Sequence, residues 1–313
     1  MKKIILILMV LMFSFAFSRD LNEIKKSGYL IIGIRNIPTG GIYQPKIKDK
    51  QGFTFELAES FAEYLNVKLK LYVVKSFKEY WTKDGEIMFK KNIIGTPDIY
   101  KKVDIIADII TVTESRKKLV KMTPFVENVS MFFTRKNEDI NNYQDFKGKK
   151  IITMEVFNFY NTIRKELKKR DINYIVNKVS IKNNKFTYLG RTKKVNKNDV
   201  EIDIIPTGDY IDRMGFYYQV ILGNADVSIS DSFSFFPKLL TSLTFKDNLK
   251  ALFPAENKVG YLAFCSSYNT PELNKMLSMF MEEFRKTERY NLLFEKYTGI
   301  SYTEYKKIFT DGN

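Results

Sequence analysis

Apolar residues fall along this chain in short runs broken by polar turns, and two periodicities alternate. Tyr29 to Ile34 is an apolar run closed by Arg35, which predicts a strand. A loop carrying Pro38, Gly40, Gly41 and Tyr43 follows. After Gly52, the positions Leu57, Phe61 and Leu65 recur at a spacing of four and predict a helix that Phe53 opens. Val67 to Val74 alternates well enough for a second strand, and this β–α–β order predicts a mainly parallel sheet with a right-handed crossover. Val103 to Ile110 is apolar without alternation, the mark of a strand buried on both faces. It delivers Asp108, Ile109 and Thr111 to a sheet edge. Thr113-Glu114-Ser115-Arg116 then turns into a short helix, with Glu114 suited to its first turn.

The second half repeats this logic. Phe125 to Arg135 reads as one long extended segment, and Ile151 to Met154 as a strand leading into a helix from about Asn158 to Arg170. Tyr210 to Leu222 predicts a helix, and Gly223-Asn224-Ala225-Asp226 turns into a strand, Val227 to Ser230, with Asp231 directly after it. Val259 to Phe264 is again extended. Amphipathic helices over Pro271–Thr287 and Tyr290–Tyr297 close the chain. Residues 75–102 read poorly. Residues 178–205, rich in Asn, Lys and Arg, predict an exposed hairpin.

The first residues change the picture of where the chain works. Lys2 and Lys3, an apolar stretch from Ile4 to Phe17, and Ala16-Phe17-Ser18 before Arg19 read as a secretory signal peptide over residues 1–18. The apolar run is shorter than the ~20 residues of a membrane-spanning helix. The expected product is an exported protein, soluble in the periplasm or outside the cell. The remainder is long enough for two lobes of ordinary domain size.

Composition removes whole classes of chemistry. The chain has no histidine, which excludes Ser-His-Asp and Cys-His catalysis and takes away the commonest zinc ligand. Cys265 is the only cysteine, so no intramolecular disulfide forms. No cofactor and no metal are expected. The formal charge of +15 comes from lysines spread along the chain, with a modest cluster from Lys182 to Lys197. Export and the lack of a nucleic-acid motif argue against a genome-binding role.

Arg116 is the leading candidate for ligand chemistry, because a guanidinium offers a rigid fork of donors matched to a carboxylate. At this point several segments, in order and spacing, carry a resemblance. They are Gly28 to Gly33, Gly52 to Ala58, Val103-Asp104 twelve residues before Arg116, Thr113 to Arg116, and Thr123-Pro124-Phe125. Asp145-Phe146-Lys147-Gly148-Lys149, Gly223 to Asp226 five residues before Asp231, and Phe294-Glu295-Lys296-Tyr297 complete the set. Together they resemble the bacterial extracellular solute-binding proteins of family 3, the amino-acid-binding components of ABC transporters.

That resemblance implies a two-lobed α/β fold of the type II periplasmic-binding-protein class. Each lobe has a mixed, mainly parallel sheet flanked by helices, two strands form a hinge, and ligand is held in the cleft. It assigns residues 19–127 and 260–313 to lobe one and 128–259 to lobe two. It implies a monomer that closes on its ligand and meets an ABC permease at the membrane. It also matches Arg116 to the arginine that clamps the ligand α-carboxylate, and Thr111 to a position facing the same group. Asp231 matches the lobe-two aspartate that meets the α-ammonium. Each charge of a zwitterion leaving water needs such a partner. As an alternative, Asp231 caps the helix that follows it.

Departures from the family pattern bear on specificity. Val156-Phe157-Asn158 stands where the family has a Gly with Ser or Thr, so Asn158 becomes the candidate donor and Phe157 narrows the pocket. Glu155 is a further cleft candidate, suited to a cationic group. Tyr43 and Phe53 are candidates for stacking on the ligand, Phe53 having helix-entry packing as its other reading. Arg35 stands where many members have a small or acidic residue, which favours a ligand with a second negative group. Two other functions fit the same fold. One is a non-transport ligand sensor or surface protein. The other is an exported dehydratase of the arogenate or prephenate type, for which Glu155 is the one candidate general acid.

Overall fold

The computed structural model describes residues 18–36, 42–46, 48–155, 159–182, 185–193, 196–206, 213–256 and 259–310. The stretch read as a signal peptide lies outside them, apart from Ser18, and so do Val156, Phe157 and Asn158. No helix among the described residues is long and apolar enough to cross a membrane. In chain order the strands are β1 (Tyr29–Arg35), β2 (Lys68–Val74), β3 (Thr82–Lys83), β4 (Glu86–Ile87), β5 (Ile105–Thr111), β6 (Lys121–Asn128) and β7 (Ser130–Arg135). They continue as β8 (Lys150–Met154), β9 (Tyr174–Lys182), β10 (Lys185–Gly190), β11 (Val200–Ile205), β12 (Val227–Asp231), β13 (Leu249–Pro254) and β14 (Gly260–Ser266). The chain divides into two compact units, Met1–Glu127 with Gly260–Asn313, and Asn128–Val259.

The first unit is built on a five-stranded sheet of order β2-β1-β5-β14-β6. β1 pairs in parallel with β2 from Tyr29↔Lys68 to Arg35↔Val74, and with β5 at Ile32↔Ile105. β14 returns antiparallel to β5, with Leu262 opposite Thr111. The helix Phe53–Tyr64 lies where the spacing-four pattern puts it and buries Phe53, Leu57, Ala58 and Phe61. Its entry requires Gly52: φ is 129°, and an added Cβ would stand 1.8 Å from the Ile42 carbonyl oxygen. The helices Pro271–Phe284 and Glu288–Thr298 pack against it, with Phe61 and Phe280 centroids 5.2 Å apart and Phe53 and Phe294 5.8 Å apart. A further helix, Tyr302–Thr310, follows and has no counterpart in the sequence reading.

The poorly patterned stretch from 75 to 102 is structural. A 3-10 helix, Phe77–Trp81, opens on a capping box in which the Ser76 hydroxyl and the Glu79 carboxylate satisfy each other's backbone amides. Tyr80, Trp81, Ile99 and Tyr100 join Ile106, Ile110 and Cys265 in one buried cluster and cover a face of the sheet. Short apolar pieces separated by turns give no clean period, which is why the pattern alone did not resolve them.

The second unit is a seven-stranded sheet of order β10-β9-β11-β8-β12-β7-β13. β9, β11, β8 and β12 run parallel, while β10, β7 and β13 pair antiparallel with their neighbours. Two buried clusters cover its two faces. One holds Ile151, Ile163, Leu167, Ile202 and Ile204, the other Phe133, Ile152, Val179, Tyr217 and Phe235. The expected single extended segment from Phe125 to Arg135 is two strands, β6 and β7. The expected exposed hairpin over 178–205 is corrected as well. β9 and β10 form a hairpin, but β11 is a wholly buried strand in the sheet centre. Its Glu201 and Asp203 disguise it in sequence. Both carboxylates are buried and accept from the Asn177 side-chain amide, at 3.1 and 2.8 Å.

Candidate functional site

The candidate residues of the first unit gather where β1 and β5 end side by side. In a parallel sheet this carboxyl edge is where loops and helix starts converge on a ligand. β5 ends at Thr111, and the Thr113 hydroxyl caps the short helix Glu114–Lys117 by accepting from the Arg116 amide at 3.3 Å. Arg116 then folds back on the strand it left. Its Nη1 donates to the Thr111 carbonyl at 2.7 Å, and its guanidinium lies over the Phe77 and Trp81 rings, 5.3 and 5.2 Å from their centroids. A cation over aromatic faces is attracted by the ring quadrupole, so the fork has a fixed seat. The Trp81 ring is held in turn by Phe89, 5.2 Å away.

A second guanidinium shares that seat. Arg35 closes β1 and reaches across to Asp108 of β5, Nε to Oδ2 at 2.6 Å and Nη2 to Oδ1 at 2.9 Å. Its guanidinium carbon is 5.0 Å from the Phe77 centroid. Asp108 has no exposed surface and also accepts from the Tyr80 hydroxyl at 2.8 Å and the Ile109 amide at 2.7 Å. Burial alone would raise the Asp108 pKa, but the Arg35 charge and these hydrogen bonds hold it below the ordinary 3.8. Burial and the neighbouring Asp108 push the Tyr80 phenol well above its usual range. Burial likewise raises the Cys265 thiol, which lies under the same edge.

Other residues singled out from sequence fall as follows. Thr111 is half-buried and offers its carbonyl to Arg116. Ile109 is buried at 9% exposure, packed in the strand. Asp108 accepts four hydrogen bonds from the protein itself, two of them from Arg35, which it positions. Phe53 has no exposed surface, and its ring lies in the core among Phe125, Tyr290, Phe294 and Tyr297, the helix-entry packing that was its other reading. Tyr43 is nearly buried and packs on Phe55 at 5.0 Å. Phe77, Tyr80 and Trp81 were missed because they lie in the unpatterned stretch. The Ser76-x-x-Glu79 cap signature was the signal that could have located them.

In the second unit, Asp231 closes β12 opposite Ser130 of β7. It precedes the helix Ser232–Thr241 but makes no capping bond to it; its Oδ1 accepts from the Asn128 amide at 2.8 Å. Glu155 is exposed, directly after β8, and its backbone amide donates to the Ile205 carbonyl at 3.0 Å. Phe157 and Asn158 lie outside the described residues. Among the described residues no group of three or more His, Cys, Asp or Glu could hold a metal ion.

Known proteins resemble the chain in sequence and in fold. The profile of the bacterial extracellular solute-binding proteins, family 3, matches residues 99–300. Over 113 residues the chain is 31% identical to the membrane-bound lytic murein transglycosylase F of Aeromonas hydrophila subsp. hydrophila; the match covers 36% of this chain and 20% of that enzyme. Among solved structures, an ancestral cationic amino acid solute-binding protein aligns over 89% of this chain and 99% of its own, with TM-score 0.57 at 21% identity. An ancestral arginine-binding protein bound to arginine aligns over 86% and 98%, with TM-score 0.55 at 18% identity. The YckB protein of Bacillus subtilis aligns over 90% and 94%, with TM-score 0.60 at 16% identity. The fold is thus of the periplasmic-binding-protein type, with mixed sheets flanked by helices in both units. With its profile spanning 99–300 and its fold aligned over most of its length, the chain belongs to the bacterial extracellular solute-binding proteins, family 3.

Proposed function

We propose that this chain is an exported receptor that captures an amino acid or amino-acid-like solute and hands it to an ABC permease, making and breaking no bonds. The observation that carries this reading is Arg116, a guanidinium seated on two aromatic rings and tied to the carbonyl of Thr111 at a strand end. Such a fork is organised before the ligand arrives, so a carboxylate gains charge-assisted hydrogen bonds with little ordering cost. In this reading Arg116 takes the α-carboxylate, and Asp231 takes the ammonium. Amino-acid binding by the ancestral proteins of like fold supports the ligand class. The likeness to the transglycosylase covers 20% of that enzyme and carries no catalytic reading here.

A thermal-shift screen of the mature protein, unfolded and refolded to strip carried ligand, tests the proposal. The panel holds the twenty amino acids, dicarboxylates and arogenate. A true ligand at a hundredfold its Kd stabilises the fold by about 2.7 kcal/mol, a shift of a few degrees. The expected result is a shift with an amino acid that Arg116→Ala abolishes. Conversion of arogenate would favour the enzymatic reading, and no shift with any member would favour a sensor with a remade pocket.

A further inference from the structure

Positive charge is concentrated in one stretch of the second unit. Residues 159–197 hold twelve of the 51 lysines and arginines but two of the 36 aspartates and glutamates, a net +10 of the chain's +15. The fold gathers this charge onto one face of the sheet. The helix Phe159–Lys169 lies against β9, with Arg164 Nε donating to the Tyr174 hydroxyl at 3.1 Å, and Lys168 follows Arg164 one turn on. Tyr174 belongs to the buried cluster on this face, while Val179 and Ile181 belong to the cluster on the other. Strand alternation therefore puts Lys178 and Lys182 of β9 on the Tyr174 face. The hairpin register sets Lys185 of β10 directly opposite Lys182, a like-charge pairing that by itself costs stability. Leu189, 57% exposed, stands farther along β10. The carboxylates nearby are turned inward: Glu166 is buried and paired with Arg170, and Glu201 and Asp203 are buried with Asn177. Among the described residues from 159 to 206, Asp171 is the one exposed carboxylate, against nine exposed lysines and arginines.

We infer that this face of the second unit docks on an anionic lipid bilayer. The inference uses neither Arg116 nor Asp231 and is independent of the receptor reading. The strand cations are lysines, compact point charges on long stems, which answer a diffuse negative surface. A discrete phosphate calls instead for the planar fork of arginine, and Arg164 lies over the Tyr160 ring at 5.1 Å and donates to Tyr174. Nucleic acid calls for exposed rings on which bases stack, but Phe186 and Tyr188 of β10 pack against the cluster on the opposite face. Leu189 gives the lysine face an apolar side chain for the boundary between headgroups and acyl chains. A cluster of about four to eight basic residues is drawn to an anionic leaflet, and the attraction falls off within a Debye length. Attachment of this kind is weak and reversible. It raises the concentration of the protein at a membrane without anchoring it there.

The test is co-sedimentation of the protein from Arg19 onward, free of its apolar leader, with vesicles of phosphatidylglycerol and phosphatidylcholine or of phosphatidylcholine alone. Wild type is expected to bind the phosphatidylglycerol vesicles at about 0.05 M salt, to release at about 0.5 M, and to ignore pure phosphatidylcholine. The variant carrying Lys168→Gln, Lys178→Gln, Lys182→Gln and Lys185→Gln should bind at least tenfold more weakly with its thermal midpoint unchanged. Its control removes four exposed lysines of the first unit, through Lys26→Gln, Lys91→Gln, Lys121→Gln and Lys275→Gln, and should bind within about threefold of wild type. An equal loss in both variants overturns the inference, because net charge alone would then account for binding. So does wild type that fails to bind the anionic vesicles, or binding that survives high salt. Soluble polyphosphate held more tightly than the vesicles overturns the assignment to lipid. Should the first variant not fold, the salt and lipid dependence of wild type against the control decides.

Discussion

Arg35 and Asp108 are 73 residues apart in sequence and meet side-on, with two hydrogen bonds of 2.6 and 2.9 Å. The pairing joins two neighbouring parallel strands at the edge where Arg116 is seated. A buried carboxylate with no partner would be costly, and here Arg35 and Tyr80 supply one. Replacing Asp108 with Asn leaves the Arg35 charge without its anion. We expect a loss of about 3–5 kcal/mol, read from urea unfolding at neutral pH. A loss under 1 kcal/mol would mean the pair is an incidental contact.

The pH dependence of that loss has a definite sign. The folded pKa of Asp108 lies below its ordinary 3.8, so its ionised form stabilises the fold fully above that value. As pH falls through the depressed folded value, the carboxylate takes up a proton and the contribution disappears. The gap in stability between wild type and Asp108→Asn should be constant from about pH 5 to 7 and close below about pH 4. A gap that widens on acidification would contradict the assignment.

Trp81 is the only tryptophan, and the Arg116 guanidinium lies 5.2 Å from its ring. Neutralising or shifting that cation should change the indole environment. Ligand addition is expected to alter tryptophan emission in wild type, and Arg116→Ala to alter it without ligand. Emission indifferent to Arg116→Ala would show that the stacking seen here is not kept in solution.

Much of the fold was legible because unbroken patterns mark it: the apolar run of β5, the spacing-four face of Phe53–Tyr64, and the turn before β12. What escaped has physical causes. β11 carries Glu201 and Asp203 within a buried strand, their oxygens accepting hydrogen bonds from Asn177 on the neighbouring strand, a pairing no local pattern displays. Phe77, Tyr80 and Trp81 belong to a single short turn, too brief for periodicity to register. Arg116 could be singled out because its Thr113 cap is local. Asp108 was named as a contact for ligand, but its partner Arg35 is distant in sequence, and only the strand register shows that the two consume each other.

Phe53 separates core from site in the same way. Its ring has no exposed surface and, among the described residues, packs on Phe125, Tyr290, Phe294 and Tyr297. Truncation to Ala should cost about 3–5 kcal/mol, seen as a lower urea midpoint. A stability change under 1 kcal/mol would place the ring outside the core.

Cys265 is the lone thiol, buried at 0% exposure beneath the site edge, and burial raises its pKa. Only the thiolate reacts, so a thiol reagent should modify Cys265 in denaturant and leave the folded protein unlabelled at pH 8. Rapid labelling of the native chain would show that this edge opens on its own.

The central claim is that Arg116 receives the carboxylate of an amino-acid ligand. Isothermal titration of ligand-stripped wild type, Arg116→Lys and Arg116→Ala with the amino acid found by thermal shift tests it most directly. Removing one partner of a charged hydrogen-bonded pair costs about 2–5 kcal/mol, so Arg116→Ala should weaken binding at least thirtyfold. Arg116→Lys, which keeps the charge and loses the fork, should fall between the two. Equal affinity in wild type and Arg116→Ala, with both folded, would contradict it.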